Sequence, residues 1–533
     1  MDAALDALVF GQPSGDQGCA QGHCNFYTMP LMLAIDSLSK VAPIQDVARW
    51  RDKAKQIEPA RAYRGDHGWT PGNWGIVAIT GEFVRYQLGL GDNLTWIDGG
   101  LAFQQSDDRW TANGEYEDKT GCSGKCNPMP YDHFPRKYMS ILLDWGYNGT
   151  FAPDFWEDNR RAAWVSLLLQ SPRGELPTGG RSSQHQWNEA VSCVTFEFWA
   201  SRYAAQGDKV SAGMFKRAAA LSALSLARWK RPTGDWWIVK NQMDPGARWG
   251  YESYSYYSQY NLLPASMLAT ALAYVDDGIQ QGASIAETGG FVFSPDGFHK
   301  VVANAGGMYV EIETFPDAPT HDATGLSRLH KVGVDSLVTL SAATPAAPEG
   351  APPNRNAAAI GVQFTDDTDG VTSRLAALSY GDYTSTLQLS SASPTLANFT
   401  VLYNLPKTAV SQVSEEYAVT PSGVTVTVRL TPRHRLSSLD LVIPAFVFDG
   451  QRNTTIKHSS NTLTVEMPAT SSSESSCAEI TLDHPVGDAV VWTPGPMSVC
   501  RNGVQQEWLA NVAVHTDAPY IVYTITPKAG PCN

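Results

Sequence analysis

The chain has 533 residues, of which 17% are charged and 10% aromatic, with a formal net charge of −14. That length is too great for one small core and predicts two large domains, each able to bury its own apolar surface. The acidic balance, with no basic tail and no arginine-rich patch, excludes nucleic acid as a partner, and an apolar run no longer than about "LVIPAFVF" (441–448) excludes a membrane-spanning helix.

The opening "MDAALDALVF" has neither a basic leader region nor a cleavage site, and reads as the start of a mature form with an added methionine. Cys19 with Cys24, Cys122 with Cys126, and Cys477 with Cys500 are expected to pair as disulfides, because no second ligand pair stands at zinc spacing. The triplets beginning at Asn93, Asn148, Asn398 and Asn453 are glycosylation sequons. Together with the cysteines they predict an N-glycosylated extracellular protein secreted by a eukaryote, most simply a fungus.

From about residue 26 to 280, apolar residues recur at three- and four-residue spacing, as in "WGIVAITGEFVRYQLGL", "FPRKYMSILLDWGY" and "NEAVSCVTFEFWASRYAA". Loops rich in Gly, Pro, Asp and Trp separate these runs, so the first half reads as successive helical hairpins. Asp66, His67 and Asn73 fall in one such loop, and Asp132, His133 and Arg136 in another. The aspartates suit helix capping and the histidines ordinary packing; sugar contacts through His67 and His133 are the functional alternative.

The stretch "GGRSSQHQWNEAVSC" (179–193) carries the first polar constellation. A helix beginning near Ser183 would set His185, Asn188 and Glu189 on one face, with Trp187 pointing away. The plainer reading is a serine-capped helix start with satisfied interior polar groups. A second segment, "ARWGYESYSYYSQYNLLPASMLATALAY" (247–274), interleaves Arg248, Glu252, Gln259 and Asn261 with Tyr251, Tyr254, Tyr256, Tyr257 and Tyr260. Aromatic packing or a sugar-stacking wall explains most of the tyrosines but not the polar residues among them.

Near residue 287 the texture changes to short alternating runs such as "VTVTVRL", "TLTVEM" and "YIVYTIT". The expected boundaries are a helical domain over 1–285 and an antiparallel β-sandwich over 286–533. The proline-rich 344–359 and "SSSESS" read as surface loops. The fold class is α+β multidomain: an N-terminal (α/α) toroid, an incomplete barrel of helical hairpins whose inner helices line a cleft, followed by the β-sandwich. Such a cleft suits a long polymer.

"YYSQYNLLPASMLATA" resembles the Tyr-x-x-Tyr-x-Leu-x-Pro helix of α/α-toroid alginate lyases, and "QHQW" resembles a shortened form of their Asn-Asn-His-x-x-Trp motif, in the same chain order. The two-domain plan is similar to the wider heparinase II/III-like class. The resemblance implies secreted cleavage of a uronic-acid-containing glycan by β-elimination. In that chemistry the sugar carboxylate must be bound as its C5 proton leaves, a base takes the proton, and an acid protonates the departing oxygen.

Carried over by residue, His185 matches the motif histidine, Gln184 stands in place of its asparagine, and Tyr257 and Tyr260 match the two tyrosines. Arg248 lies about two positions from the expected arginine. Asn188 is an alternative partner for the sugar carboxylate. Tyr257 could act as base only with a cation such as Arg248 beside its phenolate; as acid alone, it leaves His185 to be the base. Gln184, Glu189, Glu252, Tyr254 and Tyr260 are expected substrate contacts, and His321 or His330 of the β half could reach the cleft.

The alternative is a glucuronidase-like glycoside hydrolase on the same toroid, with Glu175, Glu189 and Glu252 as candidate carboxylates. A non-catalytic glycan-binding protein would need the aromatic residues but not the converging titratable ones. No phosphate-binding loop, dinucleotide fingerprint or cysteine/histidine zinc pattern is present, so no cofactor and no metal are expected. The expected partner is a polysaccharide or oligosaccharide, met by a monomer or small homo-oligomer. The net negative charge opposes a polyanion at long range, and Arg181, Lys240 and Arg248 are the residues that could invert the field locally.

Overall fold

The computed structural model describes residues 1–11, 23–65, 67–106, 109–118, 129–315, 321–340, 358–378, 381–469, 475–483, 490–514 and 519–532. Asp66, Cys19, Cys122, Cys126 and most of the two expected surface loops lie outside them. The chain forms two compact units, Met1–Asn127 with Tyr131–Trp164, and Pro128–Pro130 with Val165–Asn533. No helix among the described residues is long and apolar enough to cross a membrane. Helices come first and antiparallel sheets after, the change from helix to strand falling between Ile285–Thr288 and Gly289–Phe293.

In the first unit, the helix Asn73–Gln87 is apolar nearly all round and therefore buried nearly all round. Gly81 lets another helix, Thr28–Leu38, cross it closely: a Cβ there would meet Met29 N at 2.9 Å. The buried Glu82 carboxylate accepts from Arg85 Nη2 at 2.6 Å, and Tyr63 Oη donates to it at 2.5 Å. Arg85 also donates to the Ala54 and Leu90 carbonyls, so the buried charge is paired and hydrogen-bonded. The Asn93 side-chain amide donates to the same carboxylate.

In the second unit, the helices Trp187–Ala205 and Lys209–Arg228 pack together. Asp208 caps the latter by accepting from Ser211 N at 3.0 Å. Four strands follow, β1 (Gly289–Phe293), β2 (Lys300–Ala305), β3 (Met308–Glu313) and β4 (Gly325–Lys331), paired in that order. An eight-stranded sheet runs from Thr455–His458 at one edge to Thr384–Ser393 at the other, and a five-stranded sheet from Val491–Cys500 to Thr372–Arg374. Alternation in the strands turns Val401, Val426 and Ile525 of the large sheet, and Leu439, Leu441 and Ala510 of the smaller, into one shared core.

Cys477 is bonded to Cys532, with Cα atoms 5.4 Å apart. This corrects the expected Cys477–Cys500 pair. Cys477 lies in the eight-stranded sheet beside the last strand, whereas Cys500 ends a strand of the five-stranded sheet and is a buried free thiol. Cys24 is also disulfide-bonded.

The core of the large sheet contains one carboxyl, Glu415, which accepts from Tyr417 Oη at 2.7 Å. Burial raises its pKa to about 7, and its other titratable neighbours, Tyr403 and Tyr523, supply no cation. A carboxyl held above its unfolded value favours folding at low pH, and that contribution is lost as pH rises from about 4.5 to 7. Glu415→Gln keeps the hydrogen bond and removes the titration. Its stability relative to the parent, read from urea midpoints, should rise by about 3 kcal/mol between pH 4.5 and 8.

Candidate active site

The segment before the helix Trp187–Ala205 is not helical. Gly179, Gly180, Ser182 and Gln184 all have positive φ, at 129°, 70°, 63° and 66°. Left-handed Ser182 and Gln184 cost on the order of 1–3 kcal/mol each and persist only where the surroundings over-determine them. The surroundings do so here: Lys240 N donates to Gln184 O at 3.1 Å, Gln186 N donates to Ile238 O at 3.0 Å, and His185 forms a single bridge with Val239. The expected helix start near Ser183 is therefore replaced by a strap of consecutive turns, and Gln186, with no side-chain cap, precedes the first helical turn.

This strap holds His185 wholly buried, with Nε2 2.6 Å from Glu252 Oε2. Glu252 also accepts from Ser182 N at 2.6 Å and from Arg501 Nη2 at 2.6 Å. Arg501 and Asn502 form the two-residue turn between the strands Val491–Cys500 and Gly503–Val512. Arg501 Nη1 donates to Ser183 O at 2.5 Å, so one buried guanidinium joins both halves of the site. Asn241 Nδ2 donates to Arg501 O at 2.7 Å, and Trp249 Nε1 to Cys500 O at 2.9 Å. Gly250, at φ 73°, lies where a Cβ would come within 2.8 Å of Arg501.

Aromatic residues close this group. The Tyr260 ring centroid is 5.2 Å from that of His185 and 6.4 Å from that of Tyr254. Tyr254 Oη and Ser182 Oγ are hydrogen-bonded at 2.8 Å. His321 Nε2 lies 3.9 Å from Glu252 Oε1.

Electrostatics follows from burial and from these partners. Burial pushes the His185 pKa below its ordinary value, outweighing the nearby Glu252 carboxylate, and the Arg501 cation lowers it further. Burial alone would raise Glu252, but Arg501 and His185 hold it well below the usual carboxylate range. Burial and Arg501 lower His321 to about 4. Glu252 is thus an anion and both imidazoles are neutral at pH 7.

Of the expected residues, His185, Glu252, Tyr254 and Tyr260 are brought together, with Gln184 adjacent. Gln184 Oε1 accepts from Asn502 Nδ2 at 3.4 Å, while its Nε2 has no partner among the described residues. Asn188 donates to Ser182 O at 2.9 Å, which commits its amide nitrogen to holding the strap. Glu189 is not at the surface of the site: Lys240 Nζ donates to it at 2.8 Å and to Glu175 at 2.9 Å, all three groups being buried. Arg328 extends this network, with Nη2 3.7 Å from Glu175.

His330 belongs to the same buried network, its Nδ1 3.0 Å from Ser171 Oγ, and burial pushes its pKa well down. His321 is the β-half histidine beside Glu252. Tyr257 does not meet Arg248: its hydroxyl donates to Asp235 and accepts from Arg231 at 2.5 Å. Arg248, itself left-handed at φ 49°, donates to the carbonyls of Glu252, Ser253 and Ser255 and so shapes the tyrosine-rich loop. His67 and His133 belong to the first unit, His67 on an exposed loop and His133 buried.

Sequence reasoning missed Arg501 and Asn502. The only local signal was "CRNG", a two-residue turn between alternating runs, which says nothing of what its side chains reach.

No protein-family model matches the sequence, and no curated protein matches it. Among solved structures the chain is similar to a chondroitin AC lyase of Streptomyces coelicolor A3 in complex with chondroitin sulphate, at 9% identity over 98% of this chain and 69% of that one, with a TM-score of 0.46. It is similar to a heparinase III with methylated lysines, at 11% identity over 99% and 84% and a TM-score of 0.42. It is also similar to a mutant heparan sulfate lyase from Pedobacter heparinus, at 9% identity over 96% and 77% and a TM-score of 0.38.

Proposed function

We propose that the chain is a secreted polysaccharide lyase that cleaves a uronic-acid-containing glycan by β-elimination. The observation that carries this reading is His185. Its Nε2 is engaged by ionised Glu252, which assigns the ring proton to that nitrogen, and its Nδ1 has no partner among the described residues. A neutral imidazole oriented by a carboxylate, with the other nitrogen's lone pair unused, is equipped to accept a proton.

The steps then balance on residues of this chain. His185 Nδ1 takes the C5 proton, and the C5–H electron pair forms the C4=C5 double bond. The C4–O bond breaks, and Tyr254 Oη protonates the departing oxygen. The unpartnered Gln184 amide, next in the chain to His185, donates to the uronate carboxylate as negative charge builds on it. Arg501 and Glu252 keep the imidazole in place.

Hydrolysis needs two carboxylates facing one sugar with room for water. Glu175 and Glu189 share Lys240 in a buried network, and Glu252 is fully engaged by His185, Ser182 and Arg501. The geometry therefore supports elimination over hydrolysis. Secretion is supported by the exposure of the sequon asparagines Asn148 and Asn453 and by the Cys477–Cys532 disulfide.

The test is incubation with a panel of uronate polymers while following the ultraviolet absorbance of the C4=C5 bond conjugated to the carboxylate. Absorbance should grow in step with new reducing ends. Reducing ends without absorbance would establish hydrolysis and overturn the proposal.

A further inference from the structure

The helix Pro130–Asp144, in the first unit from Tyr131 onward, carries His133, Lys137 and Tyr138 among the polar side chains that the elimination chemistry leaves unused. His133 and Lys137 are four residues apart and share a face. His133 is wholly buried, and neither ring nitrogen has a hydrogen-bond partner among the described residues. Its nearest carboxylate oxygen, on Asp132, is 3.9 Å away, and Asp132 is itself taken by Arg136 Nη2 at 2.5 Å and Tyr116 N at 2.7 Å.

Lys137 is only 3% exposed, yet no carboxylate, carbonyl or hydroxyl oxygen accepts from it among the described residues. Its ammonium lies 4.0 Å from the Tyr138 ring centroid and 5.5 Å from that of Phe134. Ring faces offset part of the cost of burying a cation, but they do not replace a counter-ion. Burial brings the Lys137 pKa down to about 7, and burial keeps His133 neutral.

We infer that Lys137 and His133 form a subsite for an anionic group of a sugar, a carboxylate or a sulfate, built from residues of the first unit. Lys137 supplies the charge, His133 a neutral hydrogen-bonding edge to a neighbouring hydroxyl, and Phe134 with Tyr138 the aromatic wall. The choice of an acidic sugar rests on the lyase reading; the demand for an anion rests on the unpaired ammonium.

The experiment uses the full chain, reductively methylated with carbon-13 at its lysines, and follows the Lys137 resonance across pH by NMR, with Lys137→Met to assign it. An anion in the subsite stabilises the charged form. Glucuronate, or glucosamine 6-sulfate, should therefore move the Lys137 midpoint upward by about one unit or more, and glucose should not. Equal midpoints with all three sugars would overturn the inference. A shift with inorganic sulfate but with neither acidic sugar would make the site one for free anions and overturn it as well. The titration needs no turnover, so a shift in a chain that yields no unsaturated product would sink the lyase reading and leave the subsite standing.

Discussion

Replacing His185 with alanine is expected to lower kcat by about 10²–10⁴-fold, the range for loss of a positioned general base, measured as the initial rate of unsaturated-uronate formation. His185 is the only described residue that combines a carboxylate-oriented imidazole, a pKa lowered by burial and an unpartnered second nitrogen. Tyr254→Phe should cause a loss of similar order, because it removes the hydroxyl proposed to protonate the leaving oxygen. Tyr257→Phe is the discriminating control. Burial and Asp235 push the Tyr257 phenol upward, and its hydroxyl is bound by Asp235 and Arg231, so it is poorly placed to serve as a base. If Tyr257→Phe removes activity and Tyr254→Phe does not, the acid is Tyr257, as the sequence resemblance implies. Coincident urea midpoints for the three variants and the parent separate lost chemistry from lost folding.

Many of the helices and strands were legible in the sequence because they have a periodic apolar pattern, and the change from the helical to the alternating period falls where the chain turns from helix to sheet; β2 and β3, buried at every position, lack that alternation. The neighbourhood of His185 and the tyrosine-rich loop was legible because both carry several polar groups among apolar ones. Three things were not. The helix start at Ser183 failed because hydrogen bonds to residues 238–240 and the left-handed turns at Ser182 and Gln184 override local propensity. Glu189 and His330 looked like site residues by type, but which way a buried polar residue faces depends on partners such as Lys240 and Ser171, distant in sequence. Arg501 stands 249 residues from Glu252, and no local pattern encodes a contact of that separation.

That long-range contact carries the other large effect. Arg501→Met leaves Glu252 without its guanidinium and the Ser183 carbonyl without its donor, and breaking a buried pair in this way costs about 3–5 kcal/mol. A stability loss alone would mark Arg501 as structural; the pH dependence of catalysis is the sharper measurement. Arg501 lowers the pKa values of both Glu252 and His185. Removing its charge lets the His185 value rise, and a base works only when neutral, so the acid limb of the kcat/KM profile should move to higher pH. Arg501→Lys keeps the charge while losing the fork that reaches Ser183 and Glu252 together. It should keep the limb near its parental position and recover only part of the stability. An unmoved limb in Arg501→Met, with activity lost, would show that the C-terminal hairpin merely braces the site. A moved limb would make Arg501 a positioning residue, through which the β half of the chain sets the protonation of the base.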